Sequence, residues 1–244
     1  MRFVLEKKRL DVVMAERGLV SSRSQAESYV RLGQVKVNGR AASKPGQMVL
    51  AADIVTLAAE EQYVGRAALK LKSAAEIFTL NFKGKTVLDV GSSTGGFTQY
   101  SLMHGAAKVI AVDVGTDQLH PSLRSDERIE LYEKTDIRDF TTTQKIDMVV
   151  GDVSFISLRE ILPHVATLVD GKADIVAMVK PQFEAGQSSV KHKGVIKNDK
   201  MRREILKDFE TWAQKYFKII DKTDSAVAGS KGNVERFYLL RKLS

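Results

Sequence analysis

A chain of 244 residues, 43% hydrophobic and 28% charged, suffices for one ordinary domain plus a small appendage and is too apolar for general disorder. It has no cysteine, which removes disulfides, thiolate zinc sites and cysteine nucleophiles, and its four histidines (His104, His120, His164, His192) are too scattered to pair on a metal. Thirty-eight basic against thirty acidic residues leave a net charge of +8, which points to a polyanionic partner, nucleic acid first.

Residues 1–60 read as a small separate module. Ten Lys/Arg and four Asp/Glu fall in residues 1–50, so +6 sits in one fifth of the chain. The opening MRFVLEKKRLDVV is charged where a signal peptide needs an apolar stretch, and no apolar run reaches membrane-spanning length. A reducing, cytoplasmic setting without stable membrane association is expected. Leu10, Val13 and Met14 fall at helical spacing, and Gly18 can end that helix. Ser22 or Ser24 can cap a second helix that carries Ala26, Tyr29 and Val30 on one face and stops near Gly33. Val35 and Val37 alternate with polar neighbours before the hairpin turn Asn38-Gly39. Pro45-Gly46 makes another turn, and Asp53–Leu57 is a short strand. Residues 61–64 are the expected linker to a larger domain over 65–244. Arg9, Arg17, Arg23, Arg31, Lys36, Arg40 and Lys44 are the candidate RNA contacts, holding phosphates rather than reading bases. Singly, each is equally a solvated surface charge.

From Lys85 on, the pattern is α/β. Thr86–Val90, Val109–Val112, Ile146–Val150, Ile175–Val179 and Phe237–Leu240 read as strands. Helical stretches fall between the first two, around Leu158–Val169 and over Asp199–Tyr216. Strands alternating with helices predict a mostly parallel sheet covered on both faces.

The segment VLDVGSSTGGF carries the most information. Gly91, Gly95 and Gly96 allow a tight turn and close approach to a ligand, at the carboxyl end of the first sheet strand, where open α/β sheets bind. A dinucleotide loop would need glycine at Ser93, and a phosphate-binding loop would need Lys where Phe97 stands, so a ligand without phosphates fits better. Asp89 would repel a pyrophosphate but attract a cationic, amine-bearing ligand. Asp113 ends the next strand, where it can accept from ribose hydroxyls, and Asp136 follows the third strand, within reach of an adenine amino group. Together they describe S-adenosyl-L-methionine, although singly Asp89 and Asp113 serve equally as helix caps. The candidate cofactor contacts are Asp89, Gly91, Ser92, Ser93, Thr94, Gly95, Gly96, Phe97, Asp113, Val114, Asp136, Ile137 and Asp152.

Two more strands end in chargeable residues, Asp152 in GDVSFISL and Lys180 in VKPQFEAG. A lysine at the end of a buried strand is unusual, because its ammonium costs free energy to desolvate, and such a lysine can serve as a base. Lys70 in RAALKL lies on a helix before the first strand and Glu235 in GNVERF precedes the last; spacing alone reads both as exposed charges.

These motifs, with AVDVG, KGNVE and the N-terminal RLDVVMAERGLVSSRSQAESYVRLGQVKVNG, resemble the TlyA haemolysin-like family over nearly the whole chain. The resemblance implies an alpha-L RNA-binding module joined to an FtsJ-like methyltransferase of Rossmann-like, class I fold. It further implies S-adenosylmethionine-dependent 2′-O-methylation of ribose in ribosomal RNA, often at cytidine, and a catalytic tetrad that maps onto Lys70, Asp152, Lys180 and Glu235. Gly65-Arg66-Ala67 replaces the Ser-Arg-Gly of many relatives, while Asp136-Ile137-Arg138 matches their usual segment. The implied partner is ribosomal RNA or a ribosomal subunit. Rival readings are a small-molecule or protein methyltransferase, which would need neither the basic module nor the lysine pair, and an RNA-binding or ribosome-assembly factor without robust catalysis. A pore-forming haemolysin finds no support in any apolar segment or export signal.

Overall fold

The computed structural model describes residues 7–20, 22–58, 63–185, 195–196, 198–229 and 232–243. The N-terminal part comprises β1 (Lys7–Arg9), α1 (Leu10–Glu16), α2 (Arg23–Arg31), β2 (Val35–Val37), β3 (Arg40–Ala41), β4 (Met48–Leu50) and β5 (Val55–Leu57). α1 buries Leu10, Val13 and Met14, and the chain leaves it through Gly18 at φ 68°. α2 starts on Ser22, whose side chain accepts from the Gln25 amide, which settles the choice between Ser22 and Ser24. Asn38 and Gly39 both take positive φ, 50° and 78°, as the turn between two twisted strands requires. Across it β2 pairs with β3, and β5 flanks β2 on the other side. β1 pairs with β4, a contact without a sequence signal because all three β1 residues are exposed.

The larger part runs α3 (Arg66–Phe78), β6 (Thr86–Val90), α4 (Gly96–Met103), β7 (Lys108–Val112), α5 (Pro121–Arg124), β8 (Ile129–Tyr132), β9 (Met148–Gly151), α6 (Leu158–Val165), β10 (Asp174–Val179), α7 (Pro181–Glu184), α8 (Asp199–Ala213), β11 (Phe217–Asp224) and β12 (Arg236–Lys242). Its seven strands form one sheet in the order β11-β12-β10-β9-β6-β7-β8. β6 to β10 run parallel, whereas β12 is antiparallel to β10 and to β11. Successive strand residues alternate between two buried faces. Val87 and Phe237 pack with α3 and α4, and Leu88 and Tyr238 pack with α6 and α8. The helix expected over Leu158–Val169 ends at Val165, and that over Asp199–Tyr216 ends at Ala213. β11 carries no strand signal, because Lys218, Asp221 and Lys222 interrupt the pattern; such charges suit an edge strand.

The two parts share one buried apolar cluster on the α3/α4 face. Gln25 Nε2 donates to the Tyr63 carbonyl (2.6 Å) and the Val64 amide donates to Gln99 Oε1 (2.7 Å). Of the expected linker, residues 61 and 62 lie outside the described residues, and Tyr63 is buried against Tyr100. Among the described residues no helix is long and apolar enough to cross a membrane.

Candidate active site

β6, β9 and β10 all end at one edge of the sheet, and the strand order turns back between β6 and β9, which opens a crevice there. The glycine loop leaves β6, Asp152 follows β9 and Lys180 follows β10. Because β12 runs the other way, its first residue Arg236 lies opposite Val179, which brings Glu235 to the same edge. Lys70 comes down from α3.

The four side chains meet. Lys70 Nζ donates to Glu235 Oε2 at 2.5 Å and lies 3.9 Å from Asp152 Oδ2. Lys180 Nζ lies 2.6 Å from Asp152 Oδ1, an ion pair without hydrogen-bond alignment at that oxygen. Lys70 and Glu235 are only 5% and 4% exposed, so the surface charges that spacing alone suggests are buried instead. Two ammoniums and two carboxylates leave the cluster formally neutral, which is how so many charges tolerate burial. Gly229 closes one side: a Cβ there would stand 2.7 Å from Glu235 Oε1.

The loop after β9 adds groups that motif reading does not single out. Lys180 Nζ donates to Ser154 Oγ at 2.7 Å. Phe155 is 91% exposed at φ 67°, a conformation a bulky residue seldom adopts, and its ring lies 5.3 Å from that of Phe183. Buried Glu184 accepts from Ser157 Oγ (2.6 Å) and from the Leu158 amide (2.8 Å), tying this loop to the turn after Lys180. Burial pushes the Glu184 carboxyl above its ordinary range. Exposure and turn geometry give these residues their positions, and neither leaves a sequence signature.

Beside the cluster is a cavity of about 360 Å³. Gly91, Ser93, Asp113, Val114, Asp136, Ile137 and Asp152 are among the residues that line it. Asp113 receives the Ser93 amide (2.8 Å) and the Gly115 amide (2.7 Å), so it orders the glycine loop and its own loop together. Both Asp136 oxygens are engaged by Arg138, through its backbone amide and guanidinium, which holds that carboxyl below the usual range. Asp89, Ser92, Thr94, Gly95, Gly96 and Phe97 are not among the residues lining this cavity. Gly96 packs on α3, where a Cβ would stand 2.8 Å from that of Ala67, and buried Phe97 packs against Phe237. Asp89 is fully buried on the α4 side; Thr98 Oγ1 donates to its Oδ2 at 2.6 Å, and among the described residues its Oδ1 has no hydrogen-bond partner. Burial pushes its carboxyl up to about 7.

The seven candidate RNA contacts divide in two. Arg9 and Arg23 both pair with buried Asp11, Arg31 pairs with Glu27 one turn away, and Arg17 donates to the Ala51 and Asp53 carbonyls. Lys36, Arg40 and Lys44 are exposed on the β2–β3 hairpin and the loop after it.

Residues 63–242 match the family model described as FtsJ-like methyltransferase, and residues 8–55 match that of the S4 domain. The chain belongs to the FtsJ-like methyltransferase family. This FtsJ-like methyltransferase is 39% identical over 239 residues to the Mycobacterium tuberculosis H37Rv protein named 16S/23S rRNA (cytidine-2′-O)-methyltransferase TlyA, spanning 96% of this chain and 89% of that one. It is 44% identical over 180 residues to the Campylobacter jejuni 23S rRNA (cytidine-2′-O)-methyltransferase TlyA, spanning 73% and 70%. A solved structure of a Streptococcus thermophilus protein named as a hemolysin matches 99% of this chain and 90% of its own, with a TM-score of 0.73 and 34% identity. The TlyA haemolysin-like resemblance read in the sequence thus extends over nearly the whole chain, and the fold is the Rossmann-like one it implies.

An FtsJ-like methyltransferase implies S-adenosylmethionine, and the residues fit it. The ligand carries an ammonium and a sulfonium, and Asp89 Oδ1 and Ser92 Oγ, on the strand and loop beside the cavity, are buried polar atoms without partners among the described residues. At Gly91, φ 80°, a Cβ would stand 3.1 Å from the Asp152 carbonyl, so only glycine leaves the cradle open.

Proposed function

We propose that the protein transfers a methyl group from S-adenosyl-L-methionine to a ribose 2′-hydroxyl of ribosomal RNA, at cytidine. The observation that carries this reading is the largely buried, formally neutral cluster of Lys70, Asp152, Lys180 and Glu235 beside a cofactor-sized cavity. The names of the M. tuberculosis and C. jejuni relatives support the same chemistry. When bound, S-adenosylmethionine supplies a methyl group on a sulfonium, already a good electrophile. The protein's own task is to align a sugar hydroxyl with it and to take one proton. Lys180 takes that proton. Asp152, between the two lysines, offsets their repulsion and orients Lys180. Lys70 and Glu235 brace Asp152 and the ribose from the other side. Gly91 and Ser93 cradle the cofactor, Asp89 and Ser92 stand behind them toward its cationic end, Gly96 and Phe97 hold the turn against α3 and β12, and Asp113 takes its ribose. Val114 and Ile137 flank the adenine, with Asp136 facing its amino group.

Residues 1–60 form the RNA-holding unit and 65–244 the catalytic one, joined through 61–64. Lys36, Arg40 and Lys44 offer the unengaged cations; Arg9, Arg17, Arg23 and Arg31 are half-committed to the fold and add positive field at the same surface. Phe155 offers a nucleobase a face to stack on. Ribosomal RNA within a subunit is the substrate, and the cytoplasm is where it is met. Lys180→Ala abolishes methyl transfer to ribosomal subunits while S-adenosylmethionine still raises the melting temperature of the variant. Normal turnover by that variant removes Lys180 as the base.

A further inference from the structure

A base must not only sit near the hydroxyl but point its lone pair there. Lys180 reaches its place through four flexible methylenes, and a misplacement of about 1 Å can cost on the order of a hundredfold in rate. Asp152 constrains the nitrogen by charge alone, since the 2.6 Å contact lacks hydrogen-bond alignment. That constraint weakens at the moment it is needed, because a lysine that has given up its proton no longer feels the ionic attraction. Ser154 Oγ, 2.7 Å from Lys180 Nζ, is the hydrogen-bond acceptor of that nitrogen among the described residues. A hydroxyl accepts an N–H from an ammonium and from a neutral amine alike, and its own hydrogen is free to turn away.

We infer that Ser154 is a positioning residue for the methyl-transfer reaction: by accepting one Lys180 N–H it fixes the nitrogen's remaining valences toward the substrate hydroxyl in both protonation states. The inference rests on the reading of Lys180 as the base. Ser154 stands two residues after Asp152 in the loop that Glu184 ties to the Lys180 turn through Ser157 and Leu158, so the segments carrying both partners are joined directly. It is exposed and lines the cofactor cavity, so it faces the space where cofactor and sugar meet. Among the described residues, the charged groups clustered with Lys180 are Asp152 after β9, Lys70 on α3 and Glu235 before β12. Ser154 is the neutral member of this set, so its removal alters orientation without changing the charge balance.

The test compares Ser154→Ala, Ser154→Thr and Lys180→Ala as full-length protein, on unmethylated ribosomal subunits with labelled S-adenosylmethionine. Ser154→Ala lowers kcat about tenfold or more, with KM for the subunits and Kd for S-adenosylmethionine within threefold of the parent. Ser154→Thr, which keeps the hydroxyl, restores at least a third of the activity. A kcat for Ser154→Ala within twofold of the parent overturns the inference. So does a loss matched by an equal rise in the cofactor Kd, which makes Ser154 a cofactor contact, or failure of folded Ser154→Thr to recover. An inactive Lys180→Ala beside a fully active Ser154→Ala sinks this inference alone; an active Lys180→Ala sinks the assignment of the base.

Discussion

Asp89 gives the sharpest energetic test. Its carboxyl is fully buried, keeps one oxygen unpartnered and is pushed from 3.8 to about 7, burial being the largest cause. In the unfolded chain it ionises near 3.8, so between about pH 4 and 7 the native state holds a proton that the unfolded state has lost. Native stability from this group is therefore fully present below about 3.8 and lost as pH rises through about 7. Three units at about 1.4 kcal/mol each make the cost of the ionised form roughly 4 kcal/mol. Asp89→Asn cannot ionise, and its amide oxygen can still accept from Thr98. Urea unfolding of both proteins from pH 5 to 8.5, without cofactor, should show Asp89→Asn gaining on the parent by about 1.4 kcal/mol per pH unit at first, flattening as pH passes about 7 and levelling off above about pH 7.5. The same variant should bind S-adenosylmethionine more weakly in calorimetry, having lost the anion that meets its cationic end. Parallel stability curves, or unchanged cofactor affinity, would refute the reasoning.

Other substitutions probe the packing and the basic surface. Gly96→Ala places a methyl 2.8 Å from Ala67 Cβ and 2.9 Å from the Ala68 nitrogen, backbone that cannot swing aside. Overpacking of this kind costs about 1–3 kcal/mol, which calorimetry should register as a fall of several degrees in Tm. Reversing Lys36, Arg40 and Lys44 to Glu together should weaken binding to ribosomal RNA and flatten the plot of log affinity against log salt by about 2. An unchanged slope would place the RNA elsewhere.

The sequence showed the strands and their endings because each buried strand is a short apolar run, rich in β-branched residues, that stops at a glycine or a charged residue. Gly91, Asp152 and Lys180 were legible for that reason. Lys70 and Glu235 were legible only through resemblance, since a lysine in a helix and a glutamate before a strand look like surface charges until the fold buries both. Ser154 and Phe155 escaped because a hydrogen bond to another strand's lysine and a positive-φ turn leave no local pattern. Asp11 was equally silent: an acid in the first turn of a helix usually meets water, and here it gathers Arg9 and Arg23. Pairings such as β1 with β4 depend on chain segments far apart in sequence and on no alternation of their own.

The most direct measurement is mass mapping of ribose methylation in ribosomal RNA treated with the parent protein, with Lys180→Ala and with no protein. A 2′-O-methyl group protects its own phosphodiester from alkali, so the modified site should survive as a resistant dinucleotide carrying one added methyl on a cytidine ribose. That product should appear with the parent alone. A methyl group on a base, on protein or on no molecule at all, or an equal yield from Lys180→Ala, would contradict ribose methylation by this lysine-centred site.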